Sequence, residues 1–461
     1  MKVFMSGIAG TGMSSLAGLF REKGYEISGS DTSFYPPVGP LLKKMGVHTY
    51  EGYSENNIEN DIDFCVIGNI ISRGNPEVEF ILNNKIRFFS MAEALYRFFI
   101  EGSRSIVVSG THGKTTISSF LALLLKEAEL DPGYFIGGKP IDLDSNYSLG
   151  SNNFFVSEGD EYETSFFDRS SKFLKYFPDI LILSSLEYDH LDFFKSEREY
   201  KDAFKNLINQ VPSNGLIISN SDYTMNREVI KGSFSPVLEY GLDKADYSIK
   251  DVVSSPAGIS FRLKIGNEYV EFKTPLQGEY NVKNLTAGII FGIHIGVPLS
   301  TIKKVVKKFN GVERRLNKIG EDDNTVIYED FAHHPTSIGS VLMSLKKLYP
   351  HKKLTALFEP ASWSLKNRYF ENKLIESLSV ADEVVIKIPY KISKIPKNER
   401  IDMEKLIHGI NIAGKKGVAM KKISEFETFL ENISHKEQRV VVILSNGSFG
   451  SLPKKAEVLF A

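Results

Sequence analysis

The stretch IVVSGTHGKTT, residues 106–116, decides the fold. Ile106, Val107 and Val108 make a β-branched apolar run, as a buried strand requires. Gly110 and Gly113 bracket a short loop, and the apolar-rich ISSFLALLLKE that follows reads as a helix running to about Ala128. Glycines at such a junction let backbone N–H groups close around a phosphate, and the helix N-terminus adds a favourable dipole. Lys114 would reach the β- and γ-phosphates of a nucleotide, the Thr115 hydroxyl would ligate Mg²⁺, and Thr111 and Thr116 complete the loop. The loop departs from the pattern G-x-x-x-x-G-K-[ST] only at Val108, which stands in place of the first glycine. An ordinary strand–turn–helix junction has no need of a lysine and two threonines at these offsets, so ATP and Mg²⁺ are the expected ligands.

Outward from this loop, strand-like and helix-like segments alternate in both directions, which implies parallel sheets in an α/β fold. The pattern restarts twice and divides the chain into units spanning residues 1–102, 103–316 and 317–461. In the second unit, FFVSEGDE ends in Glu158, Asp160 and Glu161, and ILILSSLEYDHLD ends in Asp189, His190 and Asp192. Strand C-termini of a parallel sheet share one edge, where ligands collect, so these groups should gather beside the phosphate loop. A more β-rich insert (YSIKDVVSS, ISFRLKI, YVEFKTP) and a helix over about residues 284–295 follow. The lysine-rich stretch from Lys387 to Lys422 is expected to be a solvated surface.

At the N-terminus, GIAGTGMSS places Gly7, Gly10, Thr11 and Gly12 in a second glycine turn between strand and helix. Its backbone can approach a diphosphate. Asp31 ends the next strand, about where dinucleotide enzymes place a ribose-binding acid. Judged alone, this unit reads as an NAD site.

The formal net charge of −1 leaves no broad basic field for nucleic acid or an anionic membrane. No apolar run reaches membrane-spanning length, and the glycines begin too early for a signal peptide. The single cysteine, Cys65, cannot form an internal disulfide, which fits a reducing cytoplasm.

G-T-x-G-K-T-T in a chain of three α/β units resembles the Mur ligase family over essentially its whole length. The resemblance implies a Rossmann-like unit for a UDP-sugar, a P-loop ATPase unit and a closing α/β unit, working as an ATP-dependent, ADP-forming amide ligase in peptidoglycan metabolism. It assigns Glu158 and His190, with Thr115, to magnesium. Asn281 and Asn284 in GEYNVKNLTAG would serve the adenine side, although Tyr280 replaces the usual histidine. Arg314 and Arg315 in GVERRL match the interdomain arginines. Asp330 in EDFAHHP would take the ATP ribose, and His333 or His334 would approach the reacting centre. Lys114, His190, Arg314 and His333 form the implied catalytic set. Gly7, Gly10, Thr11, Gly12, Asp31 and Ser72 form the implied UDP-sugar set. Phe204 occupies the position at which several members carry a carbamylated lysine, and the branch acting directly on UDP-N-acetylmuramate also lacks that lysine.

Within that branch, VIGNIISRGNPEVE, DEYETSFFDRSSKFLKYFP and ILSNGSFGSL resemble the murein peptide ligases, which attach the recycled tripeptide L-Ala-γ-D-Glu-meso-diaminopimelate. Two departures stand out. Those ligases read E-P-R-S where this chain has Glu359-Pro360-Ala361-Ser362, leaving Lys366 or Arg368 to supply the missing cation. Ser184 and Ser185 replace an asparagine pair before the D-H motif. The alternatives are a UDP-N-acetylmuramate–L-alanine ligase, an NAD-dependent dehydrogenase and a non-catalytic nucleotide-binding regulator. The dehydrogenase leaves Lys114, Glu158, His190 and the third unit without a role, whereas the regulator is allowed by Ala361, Ser185 and Tyr280.

Overall fold

The computed structural model describes residues 1–36, 38–243, 245–390, 392–433 and 437–460, and all counts below refer to these. The first unit carries a five-stranded parallel sheet. Its spatial order is His48–Glu51, Glu26–Asp31, Lys2–Ser6, Phe64–Ile67, Phe88–Ser90. Chain order reverses beside Lys2–Ser6, so the glycine turn that follows this strand opens at a topological switch point.

The second unit is built on a ten-stranded sheet. Arg104–Ser109 lies at its centre, between Phe154–Gly159 and Ile180–Leu183, parallel to both. The phosphate loop, the 158–161 acids and the 184–192 segment therefore leave three adjacent strands at one edge. The β-rich segments Tyr247–Ser255, Gly258–Ile265 and Glu268–Thr274 form an antiparallel meander that extends this same sheet rather than a separate insert. The third unit has six strands, all parallel except Asn317–Glu321. Thr325–Asp330, Arg439–Leu444, Lys353–Phe358 and Glu383–Lys387 lie side by side, with their C-terminal ends on one edge.

The helix Lys114–Glu127 is buried on nearly every side, as its continuous apolar sequence demands. It packs against the helix Glu279–His294. That helix begins five residues earlier than its apolar pattern indicates, with Gly278 as N-cap, so Asn281 and Asn284 lie in its first turns. One apolar core runs from the first sheet (Val3, Met5) and the helix Thr11–Glu22 (Leu16) into the second unit (Phe135, Phe155, Phe173). Gly12 contributes to that junction: a Cβ there would meet Met91 Sδ at 2.8 Å and Phe135 Cζ at 3.8 Å. Its lack of a side chain thus serves packing between units as well as the turn.

The stretch from Lys387 to Lys422 is largely exposed, as expected of a solvated surface, although parts of it pack inward. This segment holds the helix Met403–Ile412, whose Leu406 and Ile410 are buried, and the strand Lys416–Met420. Lys387 itself is only 13% exposed in its side chain. Most described lysines of the stretch stay in solvent, and Lys387 is the one drawn inward by a buried carboxylate, that of Glu359.

Candidate active site

Gly113 caps the phosphate-loop helix in the left-handed region, at φ +85°. A Cβ there would stand 2.3 Å from Asn284 Oδ1, so only glycine fits. Asn284 in turn donates to Asn281 Oδ1 at 3.1 Å, and Asn281 donates to Gln277 O at 2.8 Å. The two asparagines thus brace the loop from the neighbouring helix. Ser184 and Ser185 hold its other side: the Ser184 hydroxyl donates to His112 O with Ser109 O 3.2 Å away, and the Ser185 hydroxyl accepts from His112 N at 3.1 Å. The Thr111 backbone N–H donates to Ser185 O at 2.6 Å. Hydroxyls here do the work of positioning the loop.

Lys114 donates to Gly110 O at 2.7 Å and to Glu161 at 2.9 Å, with Asp160 4.0 Å away. Burial alone would lower its pKa, but Glu161 and Asp160 more than offset this and hold it charged. Glu161 also lies 3.2 Å from His190 Nε2. Burial pushes against the Glu161 carboxylate, yet Lys114 and His190 pull its pKa down to about 2. His190, whose burial favours the neutral ring, is carried up to about 9 by Glu161 and Asp189. Its backbone sits at φ +54°, an uncommon conformation for a non-glycine residue at a functional edge.

Glu158 behaves oppositely. It accepts from Gly137 N at 2.6 Å and from the Thr115 hydroxyl at 3.1 Å, but burial and neighbouring Asp160 raise its pKa to about 7. Glu161, one of three acids at this strand end, was not singled out by the sequence pattern, and it links Lys114 to His190.

From the third unit, Thr336 donates to Glu187 at 2.9 Å, and the Ser337 hydroxyl lies 3.0 Å from His112 Nδ1. His112 Nε2 completes the bridge to Glu187 at 2.9 Å. The phosphate loop is thus tied directly to the helix Pro335–Leu348. Between them lies a cleft lined by His112, Gly113, Thr115, Thr116, Tyr280, Lys283, Asn284, Arg315, Asp330 and Ser337. Asp330 already accepts from Leu316 N at 2.6 Å and Ala332 N at 2.7 Å, and burial raises its pKa to about 6. Arg315 lines the cleft, whereas Arg314 is bonded to Glu329 at 2.7 Å, Ser445 O at 3.0 Å and Gly447 O at 2.6 Å. Of the paired arginines, Arg315 is the better placed toward nucleotide.

Three family models match the chain: the Mur ligase family catalytic domain over residues 2–101, the Mur ligase middle domain over residues 108–292, and the Mur ligase glutamate ligase domain over residues 314–447. The chain belongs to the Mur ligase family. It is therefore an ATP-dependent, ADP-forming amide ligase with a three-domain α/β architecture. Its relatives include the UDP-N-acetylmuramate--L-alanyl-γ-D-glutamyl-meso-2,6-diaminoheptandioate ligase of Escherichia coli K12. That protein is 32% identical, and the match covers 99% of this chain and 97% of the relative. The UDP-N-acetylmuramate--L-alanine ligase of Dictyoglomus turgidum is 31% identical, covering 100% of this chain and 96% of the relative. The crystal structure of a murein peptide ligase from Psychrobacter arcticus superimposes with a TM-score of 0.75 at 27% identity, covering 100% of this chain and 98% of that one.

The middle domain suits the magnesium that Mur ligases use. Thr115 and Glu158 present a hydroxyl and a carboxylate 3.1 Å apart beside the phosphate loop. The raised pKa of Glu158 shows a buried negative charge with too little compensation, which a divalent cation would relieve. His190 is held by Glu161 on the same edge. Phe204 is fully buried against Phe173 and Tyr200.

The N-terminal domain offers its own anion site. Gly10 caps the helix Thr11–Glu22 with no side-chain bond, which leaves first-turn N–H groups for a ligand. Asp31 is engaged with the turn itself, accepting from Ala9 N at 2.9 Å, Thr32 N at 2.7 Å and Tyr53 OH at 3.2 Å. Gly7 stands at φ +81°, and Ser72 is exposed on the loop after Phe64–Ile67. No helix among the described residues is long and apolar enough to cross a membrane.

Proposed function

We propose that this Mur ligase joins UDP-N-acetylmuramate to the recycled tripeptide L-Ala-γ-D-Glu-meso-diaminopimelate in the cytoplasm. Residues 1–102 would bind the UDP-sugar through Gly7, Gly10, Thr11, Gly12 and Ser72, with Asp31 holding the turn. Residues 103–316 would bind ATP and Mg²⁺, and residues 317–461 would close over the site. The observation that supports the reading is the single strand edge on which Lys114, Glu158, Glu161 and His190 gather beside the glycine loop, with Thr336 and Ser337 of the third domain bonded to Glu187 and His112 of the same edge. It is reinforced by the three stretches shared with murein peptide ligases and by the full-length similarity to the E. coli tripeptide ligase. Near-equal identity to L-alanine ligases keeps L-alanine as the competing amine.

In this reading ATP phosphorylates the lactyl carboxylate. The neutral α-amine of the peptide attacks the acyl phosphate, and the tetrahedral intermediate expels phosphate. Lys114 and Arg315 stabilise charge on the transferred phosphoryl group. Bound magnesium would screen the phosphate oxygens, held by Thr115 and Glu158 and, once its ring proton is released, by His190. Asn281, Asn284 and Asp330 orient the nucleotide side. His333, kept neutral by burial with its pKa lowered to about 4, lies in the electrostatic field of Asp189 near the reacting centre. Closure through His112, Glu187, Thr336 and Ser337 excludes water from the acyl phosphate. Phosphate release from ATP with UDP-N-acetylmuramate, measured with tripeptide and with L-alanine, tests the assignment. Turnover with neither amine would refute it.

A further inference from the structure

The third domain lacks a cation at Ala361, and the structure shows another group beside that position. Glu359, Lys387 and Ser445 stand at or just beyond the C-terminal ends of three adjacent parallel strands, the edge of an α/β sheet where ligands bind. Lys387 donates to Glu359 Oε1 at 2.5 Å. Ser445 donates to Glu359 Oε2 at 2.6 Å, and Phe449 N donates to the same oxygen at 3.1 Å. A Cβ built on Gly447 would lie 3.1 Å from Glu359 Oε2 and 3.3 Å from the Ala361 Cβ. Ala361, Glu359 and the Gly447 turn therefore share one small volume, and Lys387 enters it from the neighbouring strand. Gly447 O also accepts from Arg314, which begins the link to the nucleotide domain.

We infer that Lys387 is the specificity-determining cation of the amine-substrate site, taking over from an arginine at position 361 by receiving a carboxylate of the incoming peptide. An ammonium carries three donors. Glu359 accepts one, and among the described residues no second hydrogen-bond acceptor faces Lys387 Nζ. The remaining neighbours are the rings of Tyr390 at 5.6 Å and Phe449 at 5.4 Å, which attract the cation without using up its donors. Tyr390 is 56% exposed and Ile388 40% exposed, so the ammonium lies just beneath an open surface. Of the two side chains that sequence pointed to, Arg368 is exposed, while Lys366 is buried and reaches the other approach to Tyr390 at 5.2 Å. A cation thus stands beside the Ala361 position on the neighbouring strand, paired with Glu359.

The inference rests on the peptide-ligase reading for the identity of the carboxylate, and the test separates the two. Full-length wild type, Lys387→Met, Lys387→Arg and the double variant Lys387→Met/Ala361→Arg are assayed with saturating ATP and UDP-N-acetylmuramate. The amines are the tripeptide, the tripeptide with its diaminopimelate carboxyls amidated, L-alanine and L-alaninamide. Lys387→Met should raise the tripeptide KM about ten- to a hundredfold, the loss expected for one charged hydrogen bond, while ATP and UDP-sugar affinities measured by calorimetry stay unchanged. Amidation should hurt wild type much more than Lys387→Met, since the variant has already lost the interaction. Ala361→Arg should restore tripeptide use in the Lys387→Met background, which a merely structural ion pair would not allow. An unchanged tripeptide KM in a folded Lys387→Met protein, or no rescue by Ala361→Arg, would overturn the inference. Should wild type prefer L-alanine, the peptide reading fails. Lys387 is then judged by whether Lys387→Met abolishes discrimination between L-alanine and L-alaninamide, and retained discrimination overturns it.

Discussion

Glu158 and Glu161 leave the same strand end and are driven in opposite directions. Glu161, between Lys114 and His190, is held ionised with its pKa near 2, while Glu158, beside Asp160, rises to about 7. Glu161 thus keeps the phosphate lysine and the histidine in place, and Glu158 is the carboxylate that gains most from a cation. Glu158→Gln and His190→Ala should therefore raise the magnesium concentration needed for half-maximal turnover and lower kcat, by about a hundredfold for Glu158→Gln. Metal titrations identical to wild type in both variants would refute these metal roles. Lys114→Ala should abolish ligation while leaving UDP-N-acetylmuramate affinity intact, because the glycine turn at Gly7–Gly12 lies in another domain. Calorimetry showing an equal loss of UDP-sugar affinity would contradict that division.

At the scale of the element, the helix Pro335–Leu348 is capped by His334, whose Nδ1 accepts from Thr336 N at 3.3 Å. The ring is 1% exposed, and burial together with the charge of His112 lowers its pKa to about 3. A base with a depressed folded pKa adds stability above its unfolded value of 6.5 and loses it as pH falls toward the folded value. By pH 5 the loss from His334 should be about 2 kcal/mol. His334→Asn keeps a capping acceptor without the titration, so its melting temperature should fall less than that of wild type between pH 7 and pH 5. Parallel curves would show that His334 does not titrate in this way.

Elements differ in how far their form could be read from sequence. Long apolar periodicities and glycine-bracketed junctions placed the phosphate-loop strand, the helix Lys114–Glu127 and the three-domain order, because those features are local. Gly278 starts its helix before the apolar pattern begins, and Lys387 is drawn half-buried onto Glu359 within a lysine-rich stretch, which local pattern does not reveal. The acids after Phe154–Gly159 were visible as a cluster. That Glu161 would serve Lys114 and His190, and that Arg315 rather than Arg314 would line the cleft, became evident only once three strand ends and a third domain were brought together.

For the whole molecule, the proposed mechanism calls for closure, and polar contacts across the cleft would hold part of it. Glu187–Thr336 and His112–Ser337 join the nucleotide domain to the C-terminal domain across the cleft. Removing both hydroxyls with Thr336→Val/Ser337→Ala should raise the ATP KM about tenfold and enlarge the radius of gyration of the ATP-bound protein in solution scattering. Unchanged scattering with an unchanged KM would mean that closure is held elsewhere. The central claim, however, concerns the amine. A tripeptide offers many more contacts than one amino acid, and that remote binding energy orients the α-amine for attack. The most direct test is kcat/KM for the tripeptide and for L-alanine under saturating ATP and UDP-N-acetylmuramate. The tripeptide should be used far more efficiently; a clear preference for L-alanine would contradict the account and make the protein an alanine-adding ligase.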